Sequence, residues 1–266
     1  MSIESTPSFI LCELADPTLT TLESLSPFCV KVHRALKLAR LPYERRHGSR
    51  PSDFDDLSPT AQVPVLIVDG TPVSDSTAIL RRLVDLAPQA FDSGLGAEAL
   101  RERWLWEELA DTALNGFLVA ARWADERNWD AVRAEYFGSA PWFVRALIAP
   151  RVRSHVLKGL VARDVWRAGP KACWDRFQLL LDDLEACAPR AGYWLGESPG
   201  VADVALFGQL ASFRTPLTAW QAAEVAKRPR LDDWLDRVDA ATRAGFVQSG
   251  IHPRKASASA AMSAAS

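Results

Sequence analysis

Apolar positions in the first hundred residues fall in short runs, whereas those in the rest of the chain recur at helical spacing. Phe9–Glu13, Pro64–Val68 and Thr71–Val73 have the length and apolar content of strands. Between the first two, Ser26-Pro27 opens an amphipathic run through Val30, Val32, Leu36 and Leu38. Ser26 is a good N-cap and Pro27 suits the first helical position, so a helix is predicted to begin there. The order strand, helix, extended segment, strand, strand, helix predicts a small mixed sheet flanked by helices. From Ala97 onward Leu100, Trp104, Leu105, Leu109 and Ala113 trace one face of a helix. Further helices are predicted at Trp142–Leu160, Lys171–Cys187, Val201–Phe213 and Leu231–Ala241, with Pro141, Pro170, Pro199, Pro216 and Pro229 near their starts.

All ten tryptophans follow residue 100, and Asp92-Ser93-Gly94 reads as a turn, so a domain boundary is expected near 89–97. The tail from Lys255 is almost wholly Ala and Ser, without a face to bury, and disorder is expected over 248–266. A net charge of −2 argues against a nucleic-acid or polybasic membrane partner. No apolar run reaches the ~20 residues of a membrane span, and residues 1–7 lack a signal-peptide pattern, so the expected compartment is cytoplasmic. Four cysteines (Cys12, Cys29, Cys173, Cys187) make no disulfide framework, and none joins a cluster with metal-ligand spacing; no metal is expected. Cys12 reads as a buried strand residue, and Cys173 and Cys187 as core or surface thiols.

Three segments carry the candidate chemistry: Ser26-Pro27-Phe28-Cys29, Gln62-Val63-Pro64, and Asp75-Ser76. The first sets a hydroxyl, and three residues later a thiol, at the positive end of a helix, where anions including thiolates are favoured. In this order, from Phe9 to about Leu86, the three segments resemble the thioredoxin-like domain of the glutathione S-transferase superfamily. The resemblance implies an α/β thioredoxin-like N-terminal domain (1–88) and an all-α helical bundle domain (97–247). It implies glutathione as co-substrate and a small electrophile as partner in a detoxifying reaction.

Ser26 matches the catalytic serine of zeta-, theta- and tau-like classes, where the hydroxyl stabilises the glutathione thiolate. The alternative is that it only caps the helix. With Ser here no mixed disulfide forms at this position, which favours conjugation, isomerisation or peroxide reduction. Cys29 matches the second cysteine of a glutaredoxin motif and is either a buried spectator or a peroxide-sensitive thiol. The resemblance assigns Gln62 to the glycyl end of glutathione and the Val63 backbone to its cysteinyl unit, with Pro64 cis. It gives Ser76 the γ-glutamyl carboxylate and Asp75 its ammonium, a role compatible with capping the next helix. The electrophile is expected between the domains, against Phe28 and Trp104 or Trp106.

In the second half, Tyr193-Trp194-Leu195-Gly196-Glu197-Ser198-Pro199 followed by Ala202-Asp203 resembles the entry to a buried helix of these transferases. Asp203 at N3 is half of a capping box whose hydroxyl partner is replaced by Gly200. Two features resemble the metaxin-like and failed-axon-connections-like branch: the long segment Ala15–Leu25 and the basic run from Arg151 to Lys158. That likeness implies an alternative, a non-catalytic binding or adaptor protein whose site the long segment covers. Arg145, Arg151, Arg153, Lys158, Arg163 and Arg167 read as a solvated face or an anion- or partner-binding one. The superfamily commonly forms homodimers, N-terminal domain against helical domain, and the crowded tryptophans suit an interface.

Overall fold

The computed structural model describes residues 8–162, 165–243 and 247–251, the side chains of Val144 and 247–251 excepted. The chain begins with β1 (Phe9–Leu14), whose every residue but two is buried, and after a long connection enters α1 (Pro27–Leu38). β2 (Tyr43–Gly48) returns parallel to β1, the pairing that a helical crossover permits. β3 (Val65–Val68) and β4 (Thr71–Ser74) add antiparallel strands on the other side of β1. Asp69 and Gly70, both at positive φ, turn the chain between β3 and β4. α2 (Ser76–Leu86) and the single turn α3 (Pro88–Phe91) complete the domain. Its core joins Phe9 and Leu11 of β1, Leu66 and Val68 of β3, Val32 and Leu36 of α1, and Ile79, Leu80 and Leu83 of α2.

The helical domain starts with one helical run over residues 97–124. Here α4 (Ala97–Leu109) and α5 (Asn115–Val119) are each followed by a π-turn, Ala110–Leu114 and Ala120–Ala124. Then come α6 (Trp129–Phe137), α7 (Trp142–Ala162), α8 (Gly169–Cys187), α9 (Val201–Phe213), α10 (Ala219–Ala226) and α11 (Pro229–Arg243). The sequence pattern did not single out α6 or α10, short helices whose apolar faces are narrow. The helix α9 is buried on nearly every face and packs against α1, so it ties the two domains together. Gly208 makes that approach possible: a Cβ there would sit 2.8 Å from the Pro27 carbonyl oxygen.

Two expectations need correction. Residues 247–251, placed within or beside a disordered tail from 248, form β5 (Val247–Ile251), parallel to the otherwise open edge of β2. The sheet order is therefore β4-β3-β1-β2-β5, and Val247 and Ile251 are residues suited to a strand. The tail beyond 251 lies outside the described residues. The tryptophans, held available for an interface, mostly pack within the subunit. Trp194 stacks edge to face on Trp106 and Trp234, and Trp166, Trp174 and Trp220 gather around Phe177. Only Trp142 stands clear, at 74% exposure.

Candidate active site

The helix α1 begins where the sequence pattern puts it. Ser26, in extended conformation (φ −89°, ψ 119°), caps it: its Oγ accepts from the Cys29 N–H at 3.3 Å, and Pro27 follows at the first position. A hydroxyl has one proton and two lone pairs, so accepting the cap bond leaves the Ser26 proton available to donate. Cys29 does not compete strongly for it. Its side chain is wholly buried, and burial together with the Glu13 carboxylate pushes the thiol far up, against the Ser26 and Ser24 hydroxyls. Of the two readings of Cys29, the buried neutral thiol is the one the packing supports; a peroxide-sensitive thiolate needs exposure it lacks.

Ser26 and Phe28 open on a cleft of about 260 Å³ between the domains. Gln62 and Val63 line it from the sheet domain, and Leu118, Val119, Arg122, Trp123 and Tyr136 from the helical one. The Val63–Pro64 bond is cis, the isomer the resemblance implies, and Pro64 is buried. Trp104 and Trp106 are not part of its wall. The Arg81 and Arg103 guanidinium groups lie 3.9 Å and 5.4 Å from the centre of the Trp104 ring, while Trp106 packs on Trp194 and donates to Glu102 at 2.8 Å. Trp123 and Tyr136, further along the chain, take the place foreseen for them.

Asp75 and Ser76 do not line that cleft. They stand at the start of α2, where Asp75 caps the helix by accepting from the N–H groups of Thr77 (2.9 Å) and Ala78 (3.0 Å). Asp75 adopts φ 78°, a conformation a non-glycine residue holds only where its surroundings require it. Ser76 is buried and its Oγ donates towards Asp111 Oδ2 at 3.5 Å.

That contact belongs to a buried polar cluster the sequence did not disclose. Lys31 of α1 pairs with Glu107 at 2.8 Å and with Asp111 at 2.5 Å, and Thr77 donates to Glu107 at 2.6 Å. Lys31 and Glu107 are about as buried as any side chain in the core. Burial raises the Asp111 carboxyl, Lys31 pulls it down, and the neighbouring Glu107 carboxylate raises it again; it stands at about 6. One of its oxygens, Oδ1, is buried without a partner.

Asp203 fills more than half a capping box. Its Oδ2 accepts from Gly200 N–H at 2.9 Å, and its Oδ1 from Trp194 N–H and Trp234 Nε1–H, both at 2.9 Å. Burial nonetheless pushes its carboxyl up to about 6, against these donors. The role is structural, fixing the start of α9.

The long segment after β1 does not cover the cleft. Thr18 donates to Glu135 of α6 at 2.6 Å, and Leu22 and Leu25 pack with Val132 and Leu217. Glu23 pairs with Arg34 at 2.6 Å and with Lys37, both on α1. The segment thus straps α6 to α1, and of its residues Leu25 alone reaches the cleft wall. The basic run differs from a purely solvated face at Arg153, which donates to the Trp123 carbonyl at 2.8 Å and lies over the Trp129 ring. Arg163 lies outside the described residues. Among the described residues no helix is long and apolar enough to cross a membrane, and no three His, Cys, Asp or Glu side chains are grouped to hold a metal ion.

A thioredoxin-like sheet domain with a capped helix, facing a helical domain across a cleft, defines a class of thiol-handling proteins. Residues 25–86 match the glutathione S-transferase N-terminal domain and residues 130–237 the C-terminal domain of the same name. The chain belongs to the glutathione S-transferase family. It is 22% identical over 228 residues to an isoprene-epoxide glutathione S-transferase from Rhodococcus sp. (strain AD45), covering 82% of this chain and 92% of that one. The fold is similar to the crystal structure of the beta-etherase LigF from Sphingobium sp. strain SYK-6, with TM-score 0.62, 20% identity, and 89% and 97% of the two chains covered. It is similar too to a glutathione transferase family member from Pseudomonas fluorescens pf-5 with two glutathione bound, with TM-score 0.57, 18% identity and 88% of each chain covered.

Proposed function

We propose that this protein is a glutathione transferase that presents the glutathione thiolate to a small, largely apolar electrophile. The observation that carries this reading is the place of Ser26: its hydroxyl caps α1 through the Cys29 N–H and lines the cleft, where a hydroxyl has a proton to donate. A hydrogen bond to the thiolate, together with the positive end of α1, favours the anion over the thiol. Glutathione then lies along Gln62, Val63 and Pro64, with its γ-glutamyl end at Asp75 and Ser76. The unpartnered Asp111 Oδ1, beside Ser76, suits the ammonium of that end. Phe28, Leu118, Val119 and Trp123 provide the apolar wall for the electrophile.

The names of two similar proteins carry an epoxide and an ether. Both are electrophiles in which a carbon–oxygen bond can open, so these two classes lead the panel to be assayed. The protein is read as a cytoplasmic, detoxifying enzyme; its four cysteines are all free, as suits a reducing compartment. It is read as a homodimer, the commonest soluble oligomer. The test is calorimetric titration with glutathione, followed by turnover of epoxides, ethers and peroxides by the wild type and Ser26→Ala. The variant should keep its glutathione affinity and lose turnover worth about 1–3 kcal/mol of barrier, the size of a charge-assisted hydrogen bond. A pH–rate profile identical to the wild type would remove Ser26 from the mechanism.

A further inference from the structure

Four Lys and Arg side chains are buried among the described residues: Lys31, Arg34, Arg122 and Arg228. Three of them hold two carboxylates each. Lys31 pairs with Glu107 and Asp111, Arg34 with Glu23 and Asp239, and Arg228 with Asp182 and Glu224. A buried cation needs such compensation, because taking its charge out of water is costly.

Arg122 is the exception. At 3% exposure it donates only to neutral oxygens: the Leu25 carbonyl at 2.5 Å, the Tyr136 hydroxyl at 3.1 Å and the Ser212 carbonyl at 3.4 Å. Its Nε–H is buried with no partner at all. The residue lies on the wall of the cleft that Ser26 faces, in company with Tyr136. Its place there comes from the second π-turn, Ala120–Ala124, which sets Arg122 and Trp123 at the end of the long helical run. Turns of this kind recur at functional sites.

We infer that Arg122 is the anchor for a carboxylate on the electrophile, so that this cleft selects small apolar electrophiles carrying one anionic end. The inference rests on the transferase reading above and names its substrate class. The carboxylate supplies the charge partner that the Arg122 guanidinium lacks, the role that Asp and Glu side chains fill at the other three buried cations. Tyr136, already bonded to Arg122, lies beside that group and restricts its position. The apolar walls receive the rest of the molecule, with its reacting carbon towards Ser26. Glutathione also carries carboxylates, so the test must separate the two sources.

The probes are 4-methylbenzoate and 4-methylbenzamide, unreactive and of like shape, titrated calorimetrically into the full chain saturated with glutathione. The reactive pair 4-(chloromethyl)benzoate and 4-(chloromethyl)benzamide is assayed for turnover. The benzoate should bind about tenfold or more tightly than the benzamide, the range of a charge-assisted hydrogen bond, and the reactive pair should differ mainly in KM. Arg122→Met should abolish the difference between acid and amide, and Arg122→Lys should restore part of it. Equal binding of the two probes by the wild type overturns the inference, and needs no variant to fold. So does an Arg122→Met protein that loses glutathione affinity while keeping its preference for the acid, which would assign the charge to glutathione. Benzoate selectivity without turnover of any electrophile would sustain the anion site and count against the transferase reading instead.

Discussion

Ser26 and Lys31 lie five residues apart at the start of the same helix, yet only one of them announces its role locally. A Ser-Pro pair before an amphipathic run specifies a cap through the backbone alone, so Ser26 was legible in the sequence. Lys31 was not, because a charged residue on a helix is ordinarily solvated. Its burial is set by Glu107 and Asp111, which only the folded chain brings to it. Lys31→Met should leave the buried Glu107 and the partly buried Asp111 carboxylates without their cation and destabilise the protein by ~3–5 kcal/mol in denaturant unfolding. The opposite substitution tests Asp111. Its carboxyl is held up at about 6, above the ~3.9 of an unfolded Asp, so the folded state keeps a proton that the unfolded state releases. The contribution of this group is therefore fully present below the unfolded pKa and is lost as pH rises through about 6. Asp111→Asn should become more stable relative to the wild type as pH is raised through that window, a difference that unfolding curves at several pH values would read.

The elements were legible where the pattern was regular and obscure where it was broken. The β1–α1 unit, the β3–β4 hairpin and α9 arise from apolar runs and capping residues that the sequence displays. The helical pattern read from Ala97 through Ala113 is followed into two π-turns, which each admit an extra residue and rotate the later side chains onto a new face. No local signal marks such a turn. The resemblance put Trp104 or Trp106 at the cleft, but both precede the first π-turn, and it is Arg122 and Trp123 of the second that line it. Close packing between elements is also unmarked. Gly208 in α9 lets α1 approach: a Cβ there would meet the Pro27 carbonyl oxygen at 2.8 Å and the Lys31 Cβ at 3.2 Å. The cap at Ser26 is anchored to that same turn. Gly208→Ala should cost about 1–3 kcal/mol of stability by overpacking and lower turnover, because the start of α1 must move. Unfolding free energy and activity measured together check this; an unperturbed enzyme would mean the helices are free to separate.

At the scale of the whole molecule, Ser26, Phe28, Gln62 and Val63 line the cleft from the sheet domain, and Leu118, Arg122, Trp123 and Tyr136 line it from the helical one. The strap of residues 15–25 holds α6 to α1 while leaving the cleft open. Apolar groups left on the outside include Leu105 on α4 and Trp142, Phe143 and Leu147 on α7. Light scattering should give about twice the 29.3 kDa of the chain. A concentration-independent mass of one chain would exclude the homodimer. The most direct test of the account is the thiol pKa of bound glutathione, followed by the ultraviolet absorbance of the thiolate in the wild type and in Ser26→Ala. If the capped helix and its serine act on the sulfur, the bound thiol titrates well below the ~8.5 of a free thiol, and Ser26→Ala moves it back towards that value. A thiol that titrates in the wild-type complex as it does in water would contradict the account.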